Sequence, residues 1–550
     1  MALDQRRLRL LFGAFVALLA IAALRTLDLG TLQAAHLSSV AANQQVSEQT
    51  LTPPRATITD RNGIPLALTV PADDISVTPY QVKNPDHVAA VLAPLLHTTP
   101  AALLPKLAAH SDFEYLARQV PEATSQRIAK LKLAGVNPPS TDNIRDYPFG
   151  SVAGQVLGGV HLGGSGAGGI EEEYNRQLAG VSGESSTVFA ADGTAIQVTD
   201  PRKSEPGQTV RLTLDARLEQ EMDSVLAGVG AQYHPDNATA IALNPNTGAL
   251  LGVSNWPSAN PNDPGAGENW ADNAVALNYE PGSTFKIVVI GGALSDGLIS
   301  PSTPWNIPSS LNFDTRVIND STAHGDETLT TAQIIAQSSN IGAVEVGQVL
   351  GADRFAAWVK RFGFGTPTGV DLPGEESGIV PPLKDYNNFS MGNLPFGQGE
   401  SVTPIQVAEA YAAIANGGIL RAPHIVASVG GVAQREPAGH RILTRAVALD
   451  LRGMLEDVLK PGGTASEITI PGYELAGKTG TANKAINGVY SDTQYVASFV
   501  GFAPAQNPQI EIEVVVNDPK GGAIFGTEAP AHAWDSIMSW ALPYLKIPPA

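Results

Sequence analysis

Hydrophobic and polar positions change their spacing along this chain, and each change marks an element. An uncharged apolar run extends from Leu10 to Leu24 between Arg9 and Arg25, with Arg6 and Arg7 ahead of it. The run is short for a membrane span, which needs roughly 20 residues. It reads either as the core of a signal peptide with Ala20-Ile21-Ala22 as cleavage site, or as an uncleaved anchor whose flanking arginines reach the two interfaces. In both cases the leading arginines put the N-terminus on the cytoplasmic side, so the bulk of the chain is exported. From Leu27 to about Val46 the pattern predicts a helix running on from the membrane.

Period-two alternation then appears in RATITDRNGIPLALT, around Asp60-Arg61-Asn62-Gly63, and predicts a hairpin. Residues 85–133 read as short helices punctuated by Pro100, Pro105 and Pro121. A glycine-rich stretch follows and enters a helix at Ile170. A G-x-G-x-x-G pattern can be traced in it, without the strand–turn–helix unit that nucleotide binding requires. Thr199 to Val210 is polar and Pro/Gly-bearing, and predicts an interdomain linker. Beyond it come an amphipathic helix starting near Asp215 and two apolar strands around Asn246-Thr247-Gly248. A late hairpin turns at Gln506-Asn507-Pro508, and a last helix covers Trp534 to Tyr544. Strands early, helices between and strands late predict one antiparallel sheet covered by helices, an α+β domain from about residue 211.

Composition narrows the chemistry. The 550 residues leave room for two or more domains. A formal net charge of −19 offers no basic cluster to neutralise phosphates and argues against a nucleic-acid partner. With no cysteine there is no thiolate nucleophile, disulfide, cysteine-ligated zinc or lipidated N-terminal cysteine. Ten histidines are scattered without ligand spacing, and neither a metal nor a cofactor is expected.

The candidate chemistry begins at EPGSTFK, Glu280 to Lys286. Ser-x-x-Lys carries little weight in isolation, and the bland alternative is a capping serine beside a surface lysine. Its setting is more informative. Pro281-Gly282 makes a turn, so Ser283 falls at the start of a largely apolar helix, where the dipole favours a developing alkoxide. Lys286 lies one turn further on the same face. Burial there lowers its pKa, so that it can serve as the base near neutral pH. AQSSNIGAVEV adds Ser338-x-Asn340 at the junction of two helical stretches, and ELAGKTGTANK adds Lys478-Thr479-Gly480-Thr481 in an edge strand before the late hairpin. Three such elements in this order are the set carried by serine penicillin-recognising enzymes.

On these motifs, and on RATITDRNGIPLA, RDYPFGSVAGQVLG, GGIEEEYNRQLAG, NPNTGALLGVSN, FGFGTPTGVDLPGE and FGQGESVTPIQVAEAYAAIANGG, the chain resembles a class B penicillin-binding protein, a monofunctional D,D-transpeptidase of peptidoglycan synthesis. GQGESVTPIQVA is closer to the cell-division type than to the elongation type, although Glu400 stands where an aliphatic residue is usual. The resemblance implies a multidomain α+β protein. Residues 1–9 form a cytoplasmic tail, 10–26 an uncleaved transmembrane anchor, 27–210 an elongated mixed α/β pedestal of the dimerisation type, and 211–550 a transpeptidase domain like that of serine β-lactamases. It implies that Ser283 attacks the carbonyl between two terminal D-alanines, that Lys286 takes its proton, and that Ser338, assisted by Lys478, relays a proton to the leaving nitrogen. Asn340 binds the peptide backbone. Lys478, Thr479 and Thr481 hold the terminal carboxylate, Gly480 lets substrate approach the strand, and the N–H groups of Ser283 and Thr481 form the oxyanion hole. Implied partners are stem peptides, β-lactams, the membrane and a membrane-embedded lipid-linked-glycan polymerase. Arg145-Asp146-Tyr147 and the glycine-rich stretch are taken as pedestal architecture and a docking surface. The rival readings are a hydrolytic D,D-carboxypeptidase, which needs the same residues around the serine, and a catalytically idle cell-wall scaffold. A class A β-lactamase is disfavoured because its E-x-x-L-N glutamate is missing between the second and third motifs.

Overall fold

A computed structural model describes residues 2–34, 46–189, 195–265, 269–486, 488–521 and 525–549. The chain divides into two compact units, residues 1–54 with 179–207, and residues 55–178 with 208–550.

In the first unit a helix occupies Ala2–Leu27. At 1.5 Å per residue it is about 39 Å long, enough for the ~30 Å hydrocarbon core. The arginines that bound the apolar run do not interrupt it, because long basic side chains are good helix formers. A π-helical turn, Asp28–Leu32, follows and is tied back by the Arg25–Asp28 ion pair (2.6 Å). The rest of the expected helix lies largely outside the described residues. Strands Val46–Leu51, Gly183–Phe189 and Ala195–Arg202 form a three-stranded antiparallel sheet. The expected linker is therefore largely sheet: Thr199 and Arg202 pair with Ser186 and Glu184, and Glu205 bridges to Val181. Backbone pairing overrides the polar composition there.

In the second unit the predicted hairpin is present, closed by Asp60 N–H to Ile64 O at 2.9 Å. Its strand Pro65–Val77 pairs with Ser140–Asp146 and with Glu114–Pro121. The latter strand was expected to be helical; Leu116 and Val120 are buried against this sheet, and long-range packing decides the matter. The helices Pro85–Leu92, Pro100–Leu107 and Glu122–Lys130 fall where expected. The sheet continues through Val210–Leu212, parallel to Ile58–Thr59, into Val426–Val429. Hydrogen bonds thus run unbroken across the expected boundary near residue 210.

Arg145 belongs to the interior. Its Nε lies 2.7 Å from Glu171 Oε1, Arg55 Nε lies 2.5 Å from Glu171 Oε2, and Glu171 is wholly buried. The expectation of a docking surface does not fit Arg145; the conspicuous polar residues are an internal clamp. The neighbouring glycines have a similar explanation. A Cβ at Gly158 would sit 2.0 Å from Gly168 O, so the backbone packs against itself there.

The region beyond residue 211 is built on the expected antiparallel sheet. Its five strands run in the order Leu250–Trp256, Asn237–Leu243, Ile510–Asn517, Val489–Ala503, Ala476–Ile486. Helices Ala216–Tyr233, capped by Asp215, and Ala529–Tyr544 cover one face. Trp534 is its buried anchor, 5.1 Å from the Phe499 ring and donating to Ile512 O. The other face is covered by the apolar helix Pro404–Ala415, while the apolar helix Lys286–Ser295 packs among further helices, Asn340–Leu350 and Ala352–Arg361 foremost. Both are buried nearly all round.

Candidate active site

Pro281-Gly282 opens a 3₁₀ turn, Gly282–Phe285, that feeds directly into the helix Lys286–Ser295. Gly282 has φ +55° and donates to Gly397 O; a Cβ there would meet Thr481 O at 2.4 Å. The serine turn is thereby pressed onto the edge strand that carries Lys478, and only glycine permits both the conformation and the approach. On the other side, Tyr411 from the helix Pro404–Ala415 donates to Thr284 O at 2.9 Å. Ser283, half-buried, is held from two directions.

Ser338 lies between the helices Thr331–Ala336 and Asn340–Leu350 with φ +64°. This left-handed conformation costs a non-glycine residue of order 1 kcal/mol. It turns the carbonyl and the hydroxyl of Ser338 onto the same ammonium. Lys286 Nζ lies 2.6 Å from Ser338 O, 2.8 Å from Asn340 Oδ1, 2.9 Å from Ser283 Oγ and 3.3 Å from Ser338 Oγ. Lys478 Nζ lies 2.8 Å from the same Ser338 Oγ, with Thr479 O at 3.1 Å and Thr479 Oγ1 at 3.3 Å. The structure brings together Ser283, Lys286, Ser338, Asn340 and Lys478, from three distant segments, with Thr479 against Lys478.

Both lysines are fully buried. Burial pulls Lys286 from its ordinary range to about 7, and Asp320 opposes the fall. Burial, and then the charge of Lys286, hold Lys478 well below the lysine range. Two ammonium groups sharing one hydroxyl cannot both stay charged at no cost. The partners of Lys286 then matter. A neutral amine has two N–H bonds and one lone pair. Ser338 O and Asn340 Oδ1 are pure acceptors and occupy the two N–H bonds, which leaves the lone pair for the Ser283 hydroxyl.

Gly480 sits where expected, but for another reason. A Cβ there would meet Ser498 Oγ at 2.2 Å and Thr284 Cγ2 at 3.0 Å. The side it leaves bare is filled by the serine turn and the next strand, not left open for substrate. Thr481 Oγ1 accepts from Gly526 N–H at 3.1 Å, and Thr464 Oγ1 lies 3.2 Å from Thr479 Oγ1.

Sequence reasoning missed Asp320, Thr464, Tyr411 and Gly526, all brought to the site by long-range folding with no local motif. Glu400 is wholly buried, with both carboxylate oxygens unpartnered among the described residues. Burial first and Glu280 second push its acid well above the carboxylate range, which favours the uncharged form. That explains how it can occupy an aliphatic position.

Comparison with known proteins agrees in extent. A family model described as penicillin binding protein transpeptidase domain matches residues 238–538, and one described as penicillin-binding protein dimerisation domain matches residues 50–212. Stage V sporulation protein D of Bacillus subtilis is 32% identical, over 93% of this chain and 82% of its own. Peptidoglycan D,D-transpeptidase FtsI of Escherichia coli K12 is 31% identical, over 92% of this chain and 85% of its own. Among solved structures, penicillin binding protein 3 of Mycobacterium tuberculosis, complexed with aztreonam, superposes with a TM-score of 0.72 at 26% identity, over 91% of this chain and 98% of that one.

Proposed function

The chain belongs to the class B penicillin-binding proteins, and from that footing we propose that it is a serine D,D-transpeptidase that cross-links peptidoglycan stem peptides during septal wall synthesis. The Lys286 amine, with both N–H bonds taken by pure acceptors and its nitrogen 2.9 Å from Ser283 Oγ, carries this reading. Lys286 removes the Ser283 proton as Oγ attacks the carbonyl of the penultimate D-alanine. The N–H groups of Ser283 and Thr481 stabilise the resulting oxyanion. The C–N bond then breaks. The leaving nitrogen takes its proton from the Ser338 hydroxyl, which is replenished from the lysines on either side, and D-alanine departs. An amine of a second stem peptide attacks the ester, gives its proton to the same relay, and frees Ser283.

Lys478 is enclosed, so a bound carboxylate would meet the Thr479 and Thr481 hydroxyls with Lys478 behind them. Asn340, whose amide oxygen is held by Lys286, would bind the substrate backbone. A β-lactam would acylate Ser283 by the same first step. Residues 1–9 would lie in the cytoplasm and 10–26 in the membrane, with the pedestal (27–210) and transpeptidase domain (211–550) outside. The anchor and pedestal would contact a lipid-linked-glycan polymerase.

Intact-mass spectrometry after benzylpenicillin tests the enzyme class: one adduct on the wild type and none on Ser283→Ala is expected. An adduct that persists in Ser283→Ala refutes the assignment. Incubation with a D-Ala-D-Ala-terminated stem peptide and an amine acceptor should yield the amide as well as free D-alanine; hydrolysis alone would identify a carboxypeptidase.

A further inference from the structure

The strained Ser338 segment has to be held by something, and the holding group is Asp320. Its Oδ1 accepts from the backbone N–H groups of Asn340 (2.5 Å) and Ile341 (2.9 Å), and its Oδ2 accepts from the Ser339 hydroxyl (2.7 Å). Ser339 Oγ in turn accepts from Gly342 N–H at 2.9 Å. The preceding residue contributes as well: Asn340 Nδ2 donates to Asn319 O at 3.1 Å, which leaves Asn340 Oδ1 turned to Lys286. One carboxylate therefore satisfies the exposed amides at the start of the helix Asn340–Leu350, where a negative charge is also favoured by the helix dipole. Asp320 is itself gripped. His324 Nε2 lies 3.2 Å from its Oδ2, while His324 Nδ1 lies 2.7 Å from Gly325 O and 3.2 Å from Glu327 Oε1.

We propose that Asp320, braced by His324, is a positioning residue of the acylation reaction: it holds Ser338 and Asn340 in the orientation that directs the Lys286 amine at Ser283. The inference rests on the transpeptidase reading above.

Charge gives this role a readout that scaffolding alone would lack. The charged group that favours the Lys286 proton is Asp320; Lys478 lies across the shared Ser338 hydroxyl, and it is the Lys478 proton that the charge of Lys286 disfavours. Asp320 faces Lys286 on one side and His324 on the other, and His324 faces Asp320 and Glu327. The Gly325 carbonyl first, with Asp320 and Glu327, raises the His324 pKa. The protonated ring can donate from both nitrogens; the neutral ring can donate from only one.

The test is the rate of acylation of the full-length protein by a fluorescent penicillin between pH 5.5 and 9, expressed per labelled site so that partial folding does not enter. Asp320→Asn is expected to react about tenfold more slowly, the factor for one lost charge-assisted hydrogen bond. Its acid limb should move to lower pH, because Lys286 loses the charge that favours its proton. His324→Gln should lose a few-fold below neutral pH, with the deficit closing as pH rises. If Asp320→Asn does not fold, Ser339→Ala removes one bond to the same carboxylate and should lose a few-fold. Unchanged per-site rates and an unchanged acid limb overturn the inference while leaving the transpeptidase reading intact. A wild-type protein that takes no label removes both.

Discussion

A lysine base that works near neutral pH must have shed its proton, and the structure permits an estimate of how much that matters. At its ordinary value of 10.5, Lys286 would be neutral in roughly one molecule in 3,000 at pH 7. Burial brings it to about 7, where about half the molecules carry the free amine. The environment thus raises the reactive fraction by about 10³. Lys286→Arg should forfeit this gain, because a guanidinium stays protonated throughout the accessible range and has no lone pair to offer. The assay is stopped-flow acylation by a fluorescent penicillin from pH 5.5 to 9. The wild-type rate should climb about tenfold per pH unit below neutrality and level off above about 7, whereas Lys286→Arg should be slower by about 10³ or more at pH 8. The same shift bears on stability. The folded state releases the Lys286 proton near pH 7 while the unfolded chain keeps it to 10.5, so between those limits the unfolded state binds more protons and stability rises with pH. Below pH 7 the buried charge opposes folding by an amount of order 5 kcal/mol at 1.36 kcal/mol per unit. Lys286→Met should accordingly melt higher than wild type, most clearly at pH 6. A pH-independent wild-type rate, or an arginine variant within tenfold of it, would refute the assignment of Lys286 as base.

Gly282→Ala places a methyl 2.4 Å from Thr481 O at a φ of +55°; penicillin acylation should fall by at least about 10² as Ser283 is displaced, since misplacement of about 1 Å has that effect. Glu171→Ala leaves two buried arginines without their shared partner and should lower stability by about 3–5 kcal/mol in chemical denaturation, with acylation per folded molecule retained. Glu400→Leu replaces a buried, unpartnered acid and should stabilise by about 1–3 kcal/mol at pH 7.5. Because its folded pKa is raised, wild type loses stability as pH climbs above the ordinary carboxylate value. The advantage of the leucine variant should therefore shrink towards pH 4.5, and a constant difference in thermal midpoint would contradict the upward shift at Glu400.

The amino-acid order by itself determined what depends on neighbours in the chain. The apolar run after the arginines, the turn at Pro281-Gly282 with Ser283 and Lys286 one helical turn apart, the cap at Asp215 and the hairpins of the catalytic sheet are all local, because periodicity and turn chemistry act over a few residues. The three motifs could be named from spacing. Folding decided what depends on residues far apart in sequence. Glu114–Pro121 is a strand because a partner strand binds its backbone, and Arg145 is internal because Glu171 lies beneath it. Gly480 is glycine because Ser498 and Thr284 fill the space beside it. Asp320 could be related to Ser338 and Asn340 only once the chain had closed the loop between them. The lysine acidities belong wholly to this second class: a pKa is set by lost water and by nearby charge, and neither exists until the sheet and helices have packed around the amines.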